Sequence, residues 1–332
     1  MNKQSNIASG ETLTVWMITD GKIGDDVQCE AVASRLSPDF KRRIVCPRAP
    51  WSWIAPWGPA DPRDQSENPT SPISPPYPDI VVASGRRAVP YAVYVKQASN
   101  GKTKIVCLKD PRSQRSKFDL IWAPDHDRLS GDNVFSTLTS PHNLERQIST
   151  ARKNQRGPIW RMPRPILGVI IGGPSGGAHY DAAMASHLAE TLNKRATEFA
   201  SLAITPSRRT PSEFVSALEN SLTHQSHFLW DGDGDNPYID ILANADTLLV
   251  TADSHNMLSE AVSTGAGVYV YRPKGNAAKL DRFVAALKTR GAVNEIDGGL
   301  IPFDAAQIDA TQEIVDEIRR QLSLPSQRSR DH

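Results

Sequence analysis

Five loops that follow apolar runs hold most of the residues able to do chemistry. The first is Asp20-Gly21-Lys22-Ile23-Gly24-Asp25-Asp26. Asp20 or Asp25 suits a general base that takes the proton of an acceptor hydroxyl. Lys22 and Gly24 suit an anion beside it, while Asp25 or Asp26 serves equally well as the cap of the next helix. The second is Ser84-Gly85-Arg86-Arg87. Arg86 and Arg87 beside a glycine turn suit an anionic group, and a solvated surface pair reads as well. The third, Gly172-Gly173-Pro174-Ser175-Gly176-Gly177, lies between an apolar run and a helical stretch. Backbone N–H groups of Gly172, Gly173 and Ser175 at a helix start suit a phosphate. The fourth is Thr205-Pro206-Ser207-Arg208-Arg209-Thr210-Pro211, where Ser207, Arg208 and Arg209 suit a diphosphate. Its competing reading is a helix start, with Thr210 as cap and Pro211 in the first turn. The fifth, Thr251-Ala252-Asp253-Ser254-His255-Asn256, leads into a helix carrying Glu260. Asp253 and Ser254 border the same ligand space, and Glu260 suits the two hydroxyls of a ribose or an exposed helix face.

Other chemistries fail on spacing. The glycine loop matches neither GxGxxG nor GxxxxGK[ST]. Gly173 to Gly177 spells GxSxG, and Asp231 or Asp253 and then His255 follow in triad order, which makes a Ser175 hydrolase a minor alternative. Asp231-Gly232-Asp233-Gly234-Asp235-Asn236 imitates a calcium loop, but Asn236 stands where glycine is needed and Leu242 where glutamate is needed. There is no HExxH among the eight histidines, and no metal or bound cofactor is expected. Three cysteines with no CxxC argue for a reducing compartment. Net charge is +1, from Lys+Arg 38 against Asp+Glu 37, which excludes a phosphate-neutralising nucleic-acid binder. No apolar stretch is long enough for a signal peptide or a membrane span, so a cytoplasmic location is expected.

The elements that must position these loops follow one grammar. Between about 165 and 290, short apolar runs alternate with helical patterns: 166–171, 202–204, 227–230, 247–251 and 268–271 as strands, with helices between them. This is the pattern of βαβ units and a parallel sheet covered on both faces. The first half repeats it less cleanly, with strands at 13–18, 80–83, 104–108 and 120–122. From Pro47 to Pro78 an interruption carries ten prolines with Trp51, Trp53 and Trp57, and reads as a loop. The basic, proline-bearing stretch 150–165 reads as a hinge, and the tail from Ser323 as disordered. The expected architecture is α/β, with two Rossmann-like doubly wound domains facing across a cleft. Their bounds are 1–155 and 165–300, and the segment 301–332 returns to the first domain. Ligands in such sheets bind beyond the carboxyl ends of the strands, where all five loops fall.

The motif order DGKIGDDVQ, ASGRR, KDPR, FDLIWAPDHD, NV, IGGPS, TPSRRTP, WDGDGDNPY and ANADTLLVTADSHNMLSEAVSTG, over about Val15 to Leu300, resembles the mitochondrial-fission elongated-mitochondria family, which has bacterial members. The resemblance implies a fold similar to GT-B glycosyltransferases. The last motif is also similar to the donor stretch of the lipid-linked N-acetylglucosamine transferase of peptidoglycan synthesis, where a glutamate matched by Glu260 holds the donor ribose. His255 and Asn256 stand where smaller residues are usual, and the proline-rich segment is longer than the pattern needs. Bacterial members also carry an epimerase label, but the sequence has no TGxxGxxG opening and no YxxxK. The resemblance therefore implies a metal-independent transferase whose nucleotide-sugar donor lies on the second domain, with Asp20 or Asp25 as base. A lipid-linked or membrane-surface acceptor is implied, with the tryptophans near Pro50 resting on the inner membrane or packing on their own domain. The alternative it implies is a non-catalytic adaptor, since the plant member recruits a dynamin-like protein.

Overall fold

The computed structural model describes residues 13–66, 68–175, 177–224, 226–275, 278–296 and 299–323. The chain divides into two units, each built on one parallel six-stranded sheet.

The first unit contains β1 (Val15–Thr19), α1 (Ile23–Leu36), β2 (Lys41–Ile44), α2 (Trp51–Ile54), β3 (Ile80–Ala83), α3 (Ala88–Ala98), β4 (Lys104–Leu108), β5 (Leu120–Pro124) and β6 (Val134–Thr137). Its sheet order is β2-β1-β3-β4-β5-β6. Alternate residues of β1 enter different cores: Trp16 and Ile18 join Val81, Ile105 and Tyr91, while Val15 and Met17 join Val32, Leu36 and Trp122. That alternation is what a strand covered on both faces requires.

The second unit contains α4 (Leu144–Asn154), β7 (Ile166–Ile171), α5 (Ala182–Arg195), β8 (Ser201–Pro206), α6 (Ser212–Ser221), β9 (His227–Leu229), α7 (Tyr238–Asn244), β10 (Thr247–Thr251), α8 (His255–Val262), β11 (Gly267–Tyr271), α9 (Ala278–Thr289) and β12 (Val293–Glu295). Its order is β12-β11-β10-β7-β8-β9. Helix α5 shows how the local sequence sets an element. Asp181 caps its start by accepting from the Met184 N–H at 2.8 Å, and Ala185, Leu188, Ala189 and Leu192 turn one face to the sheet.

The units divide elsewhere than the basic stretch 150–165 suggests. The division falls near Thr137 and Leu144, and again at Asp309. Residues 144–154 form α4, whose Leu144 and Ile148 lie in the core of the second unit. The following residues are tied to the same unit: Trp160 donates to Asp240 Oδ1 at 2.9 Å, and Arg164 pairs with Asp246. After Asp309 the chain re-enters the first unit as α10 (Ala310–Gln321), burying Ile314, Val315 and Ile318 beside α1. The expected disorder of the tail concerns residues beyond 323, outside the described residues.

The proline-rich segment is anchored. Asp61, whose side chain is fully buried, accepts from the backbone N–H groups and Nε atoms of both Arg48 and Arg63. Burial opposes its charge, but these bonds prevail and hold its carboxyl at about 2, down from 3.8. Its contribution is therefore complete above the unfolded value and fades as pH falls through about 2. Asp61→Asn is expected to cost on the order of 1–2 kcal/mol near neutrality and progressively less below about pH 4. Tryptophan fluorescence reads this directly, because the Arg63 guanidinium lies 5.7 Å from the Trp51 ring. An Asp61→Asn deficit independent of pH would overturn the assignment.

Candidate functional site

Each sheet has one point at which its winding reverses, and the loops there form a crevice at the carboxyl ends of the strands. In the first unit this point lies between β1 and β3, and in the second between β7 and β10.

At the first, the loops after β1 and β3 bring Asp20, Asp25, Ser84 and Gly85 together. Asp25 Oδ1 accepts from Ser84 Oγ and from Lys109 Nζ, both at 2.8 Å. Burial works against its charge, but these bonds outweigh it and hold the carboxyl below the usual range. Asp20 differs: its side chain is 1% exposed, and neither oxygen accepts a hydrogen bond. Lys22 Nζ stands 3.7 Å from it. Gly24 is exposed on the first turn of α1, and a methyl there would meet nothing within 4 Å. Arg86 is committed elsewhere, donating to the carbonyls of Ala55 at 2.8 Å and Ser52 at 3.1 Å. It ties α2 to the loop after β3 with two of its five N–H groups. Arg87 makes no hydrogen bond or ion pair among the described residues. Lys109 is the residue the sequence reading missed. The hints are its place directly after an apolar run and at the head of the KDPR motif, and its φ of +77° is a conformation few lysines adopt.

At the second, Asp253 is the hub. Its buried carboxylate accepts from Tyr180 Oη at 2.6 Å, Thr251 Oγ1 at 2.8 Å, the Gly173 N–H at 3.1 Å and Arg209 Nη2 at 3.4 Å. The Gly172 N–H goes to Thr251 Oγ1 at 2.8 Å. Two of the three N–H groups that the sequence offers to a phosphate, those of Gly172 and Gly173, are thus used within the protein. The glycines serve packing: a methyl on Gly172 would sit 2.1 Å from both Asp253 oxygens, and one on Gly173 2.6 Å from the Arg209 backbone. Burial and the adjacent Asp253 push the Tyr180 hydroxyl far above its ordinary range.

The remaining residues divide by what they touch. Ser207 and Thr210 close their own turn, the Ser207 N–H donating to Thr210 Oγ1 at 2.9 Å. The Thr210 hydroxyl is also bonded to the Gly172 carbonyl, and α6 starts after Pro211, so Thr210 braces the glycine loop instead of capping the helix. Ser254 caps α8, accepting from the Met257 N–H at 3.4 Å. Asp231 and Asn236 stabilise the acidic turn, each accepting from the N–H two residues ahead. Arg209 also donates to the Pro174 carbonyl at 3.3 Å, whereas the exposed Arg208 makes no bond or ion pair among the described residues. Ser175 is exposed, and no partner of Asp253 is a histidine, so the elements of a Ser175 triad do not meet. Gly176 lies outside the described residues.

Glu260, half-buried on the second turn of α8, accepts from the Tyr238 hydroxyl at Oε2. Burial raises its carboxyl above the usual glutamate range, against the lowering effect of that bond. Oε1 has no partner among the described residues. Such a carboxylate, one oxygen fixed and one open, can receive a hydroxyl donor. Among the described residues, no group of three or more His, Cys, Asp or Glu is placed to hold a metal ion. None of the helices there is long and apolar enough to cross a membrane.

Known proteins fit this picture. A UDP-GlcNAc 2-epimerase from Methanocaldococcus jannaschii superposes with a TM-score of 0.52 at 11% identity, covering 96% of this chain and 94% of that one. At this identity the likeness speaks for the fold, the paired Rossmann-like units of the GT-B type. An epimerase can therefore have this fold, so the missing TGxxGxxG and YxxxK motifs do not bear on that activity. An uncharacterized protein of Rickettsia prowazekii, RP120, is 30% identical over 247 residues, which are 63% of this chain and 69% of that protein. The mitochondrial fission protein ELM1 of Arabidopsis thaliana is 28% identical over 278 residues, which are 74% of this chain. The match takes in 64% of the plant protein's own length. The family model described as Mitochondrial fission ELM1 matches residues 23–322, nearly all of the chain, and on that match the chain belongs to the Mitochondrial fission ELM1 family.

Proposed function

We propose that the protein is a metal-independent glycosyltransferase that uses a nucleotide-activated sugar. The observation that carries this reading is Glu260: a half-buried carboxylate with one oxygen held by Tyr238 and the other open, on the helix after the switch-point strand β10. A ribose diol donates to such a group. Arg208, uncommitted in the loop after β8, is the cation suited to the diphosphate, supplying the charge stabilisation that a metal supplies elsewhere. The acceptor side is the first unit. There Trp53 is 73% exposed, Trp57 68% and Ile23 82%, while Val27, Ile44 and Ile54 are also exposed. Tryptophan suits a membrane–water boundary. We place the protein in the cytoplasm, peripheral at the inner membrane, with a lipid-linked acceptor in cell-envelope glycoconjugate synthesis.

The competing reading is a non-catalytic adaptor. It is favoured by the closed state of the glycine loop, whose Gly172 and Gly173 N–H groups are satisfied internally without a ligand. A thermal-shift screen against UDP, GDP, CMP, dTDP and their sugars separates the two. A ligand at about 100 times its Kd stabilises by about 2.7 kcal/mol, a shift of several degrees. The transferase reading expects one nucleotide class to give this shift and Glu260→Ala to abolish it. No shift with any nucleotide, or an equal shift in Glu260→Ala, would leave the adaptor as the better account.

A further inference from the structure

Two carboxylates share the crevice of the first unit in opposite states. Asp25 is satisfied by Lys109 and Ser84, as described above. Asp20 is buried, bare of donors, and caps no helix: α1 begins at Ile23, after Lys22, without any side-chain cap. The two meet at Gly85, where a methyl would lie 3.0 Å from Asp20 Oδ1 and 3.4 Å from Asp25 Oδ2. Gly85 has a φ of +95°, so the close approach of backbone and carboxylates depends on glycine. A buried carboxylate without donors costs stability. Folding gains nothing from it here, whereas a ligand that donates a hydrogen bond would.

The charges narrow that ligand. Each acidic group has a cation near it: Lys22 at 3.7 Å from Asp20, Lys109 at 2.8 Å from Asp25, and Arg42 at 3.7 Å from Asp26 and closer still to Glu30. Arg86 is spent on the carbonyls of Ala55 and Ser52. Those neutral carbonyls leave the charge of Arg86 in place, and Arg87 makes no hydrogen bond or ion pair among the described residues. At Asp20 itself a phosphate would set acceptor against acceptor and would need positive charge beyond the Lys22 ammonium already paired there. A neutral hydroxyl needs none, and an acceptor-only carboxylate is its natural partner.

We propose that the carboxyl end of the first sheet binds a neutral polyhydroxylated ligand of the sugar or polyol class, one hydroxyl of which donates to Asp20. Lys109 and Ser84 are positioning residues: they hold Asp25 in place, so that Asp20 is the carboxylate that meets the ligand. The inference deepens the acceptor side of the transferase reading and rests on it for its biological meaning, but its geometry belongs to the first unit alone.

The test uses the full-length protein in two arms. Without ligand, Asp20→Asn is expected to raise the melting temperature, because it removes a buried carboxylate that accepts no hydrogen bond, while Lys109→Met and Asp25→Asn lower it. With ligand, N-acetylglucosamine, glucose and myo-inositol are the probes and inorganic phosphate the anionic contrast, with binding followed by amide chemical-shift changes. At least one polyol binds the wild type. It binds about tenfold more weakly to Asp20→Asn, as expected for a lost hydrogen bond to a charged group, and unchanged to Glu260→Ala. Asp20→Ala repeats the loss should the asparagine variant rearrange. Binding by none of the polyols, equal binding to Asp20→Asn, or binding by phosphate alone overturns the proposal. A null nucleotide screen leaves it standing, because that screen reads Glu260 in the second unit.

Discussion

Asp253→Ala is expected to destabilise the second unit by about 3–5 kcal/mol, the loss associated with breaking a buried charged network. The residue is not spare polarity near a ligand. Its oxygens collect the loops after β7, β8 and β10 through Gly173, Arg209 and Thr251, and add Tyr180 from the segment before α5. Removal strands the buried Tyr180 hydroxyl and the Gly173 N–H, each of which loses its acceptor in a site closed to water. Asp253→Asn should cost less. Its amide can face Tyr180 and Thr251, whose hydroxyls can turn round to accept, while its oxygen still serves Gly173. Guanidinium unfolding, followed by hydrogen exchange of β7 and β10 amides, measures both variants. A loss under about 1 kcal/mol for the alanine variant would show that the three loops are held by something else.

This network explains which parts of the molecule were legible in the sequence. The strand Thr247–Thr251 reads correctly because it lies between β7 and β10's other neighbour, β11, with both faces buried, so every residue is constrained to be apolar or small. Lys41–Ile44 escapes the same reading. It is the edge strand β2, exposed on most positions, and its KRRI sequence carries no core signal. The expected return of the segment 301–332 to the first unit is made by the amphipathic helix α10, but its partner α1 lies almost three hundred residues earlier, and no local pattern names that partner. At the sites, a sequence shows which loops follow strands but not what each side chain touches. A sequence shows that Gly172 and Asp253 follow strands, but not that Asp253 occupies the space a side chain at Gly172 would need. Nor does it distinguish Arg208 from Arg209 or Arg86 from Arg87, where one member of each pair is spent on protein acceptors and the other is not.

Gly172→Ala discriminates between the two reasons for a glycine beside a strand end. Were the residue glycine so that a phosphate can approach the backbone, alanine would fold normally and bind the donor poorly. The structure favours the other reason. The added methyl would stand 2.1 Å from both Asp253 oxygens, which are themselves held by Tyr180, Thr251 and Gly173. A flexible side chain can retreat from such a clash, but a carboxylate fixed on several sides inside a packed core cannot. The expected result is a loss of about 3 kcal/mol or more in the absence of any ligand, comparable to removing Asp253 itself. The double variant Gly172→Ala with Asp253→Ala should then be little worse than either single change, because the methyl enters the space that the carboxylate has left. Strict additivity of the two losses, or full stability of Gly172→Ala, would return the loop to the phosphate-cradle reading. Non-additivity would show that the Asp253 carboxylate, which holds the loops in place, is what keeps position 172 a glycine.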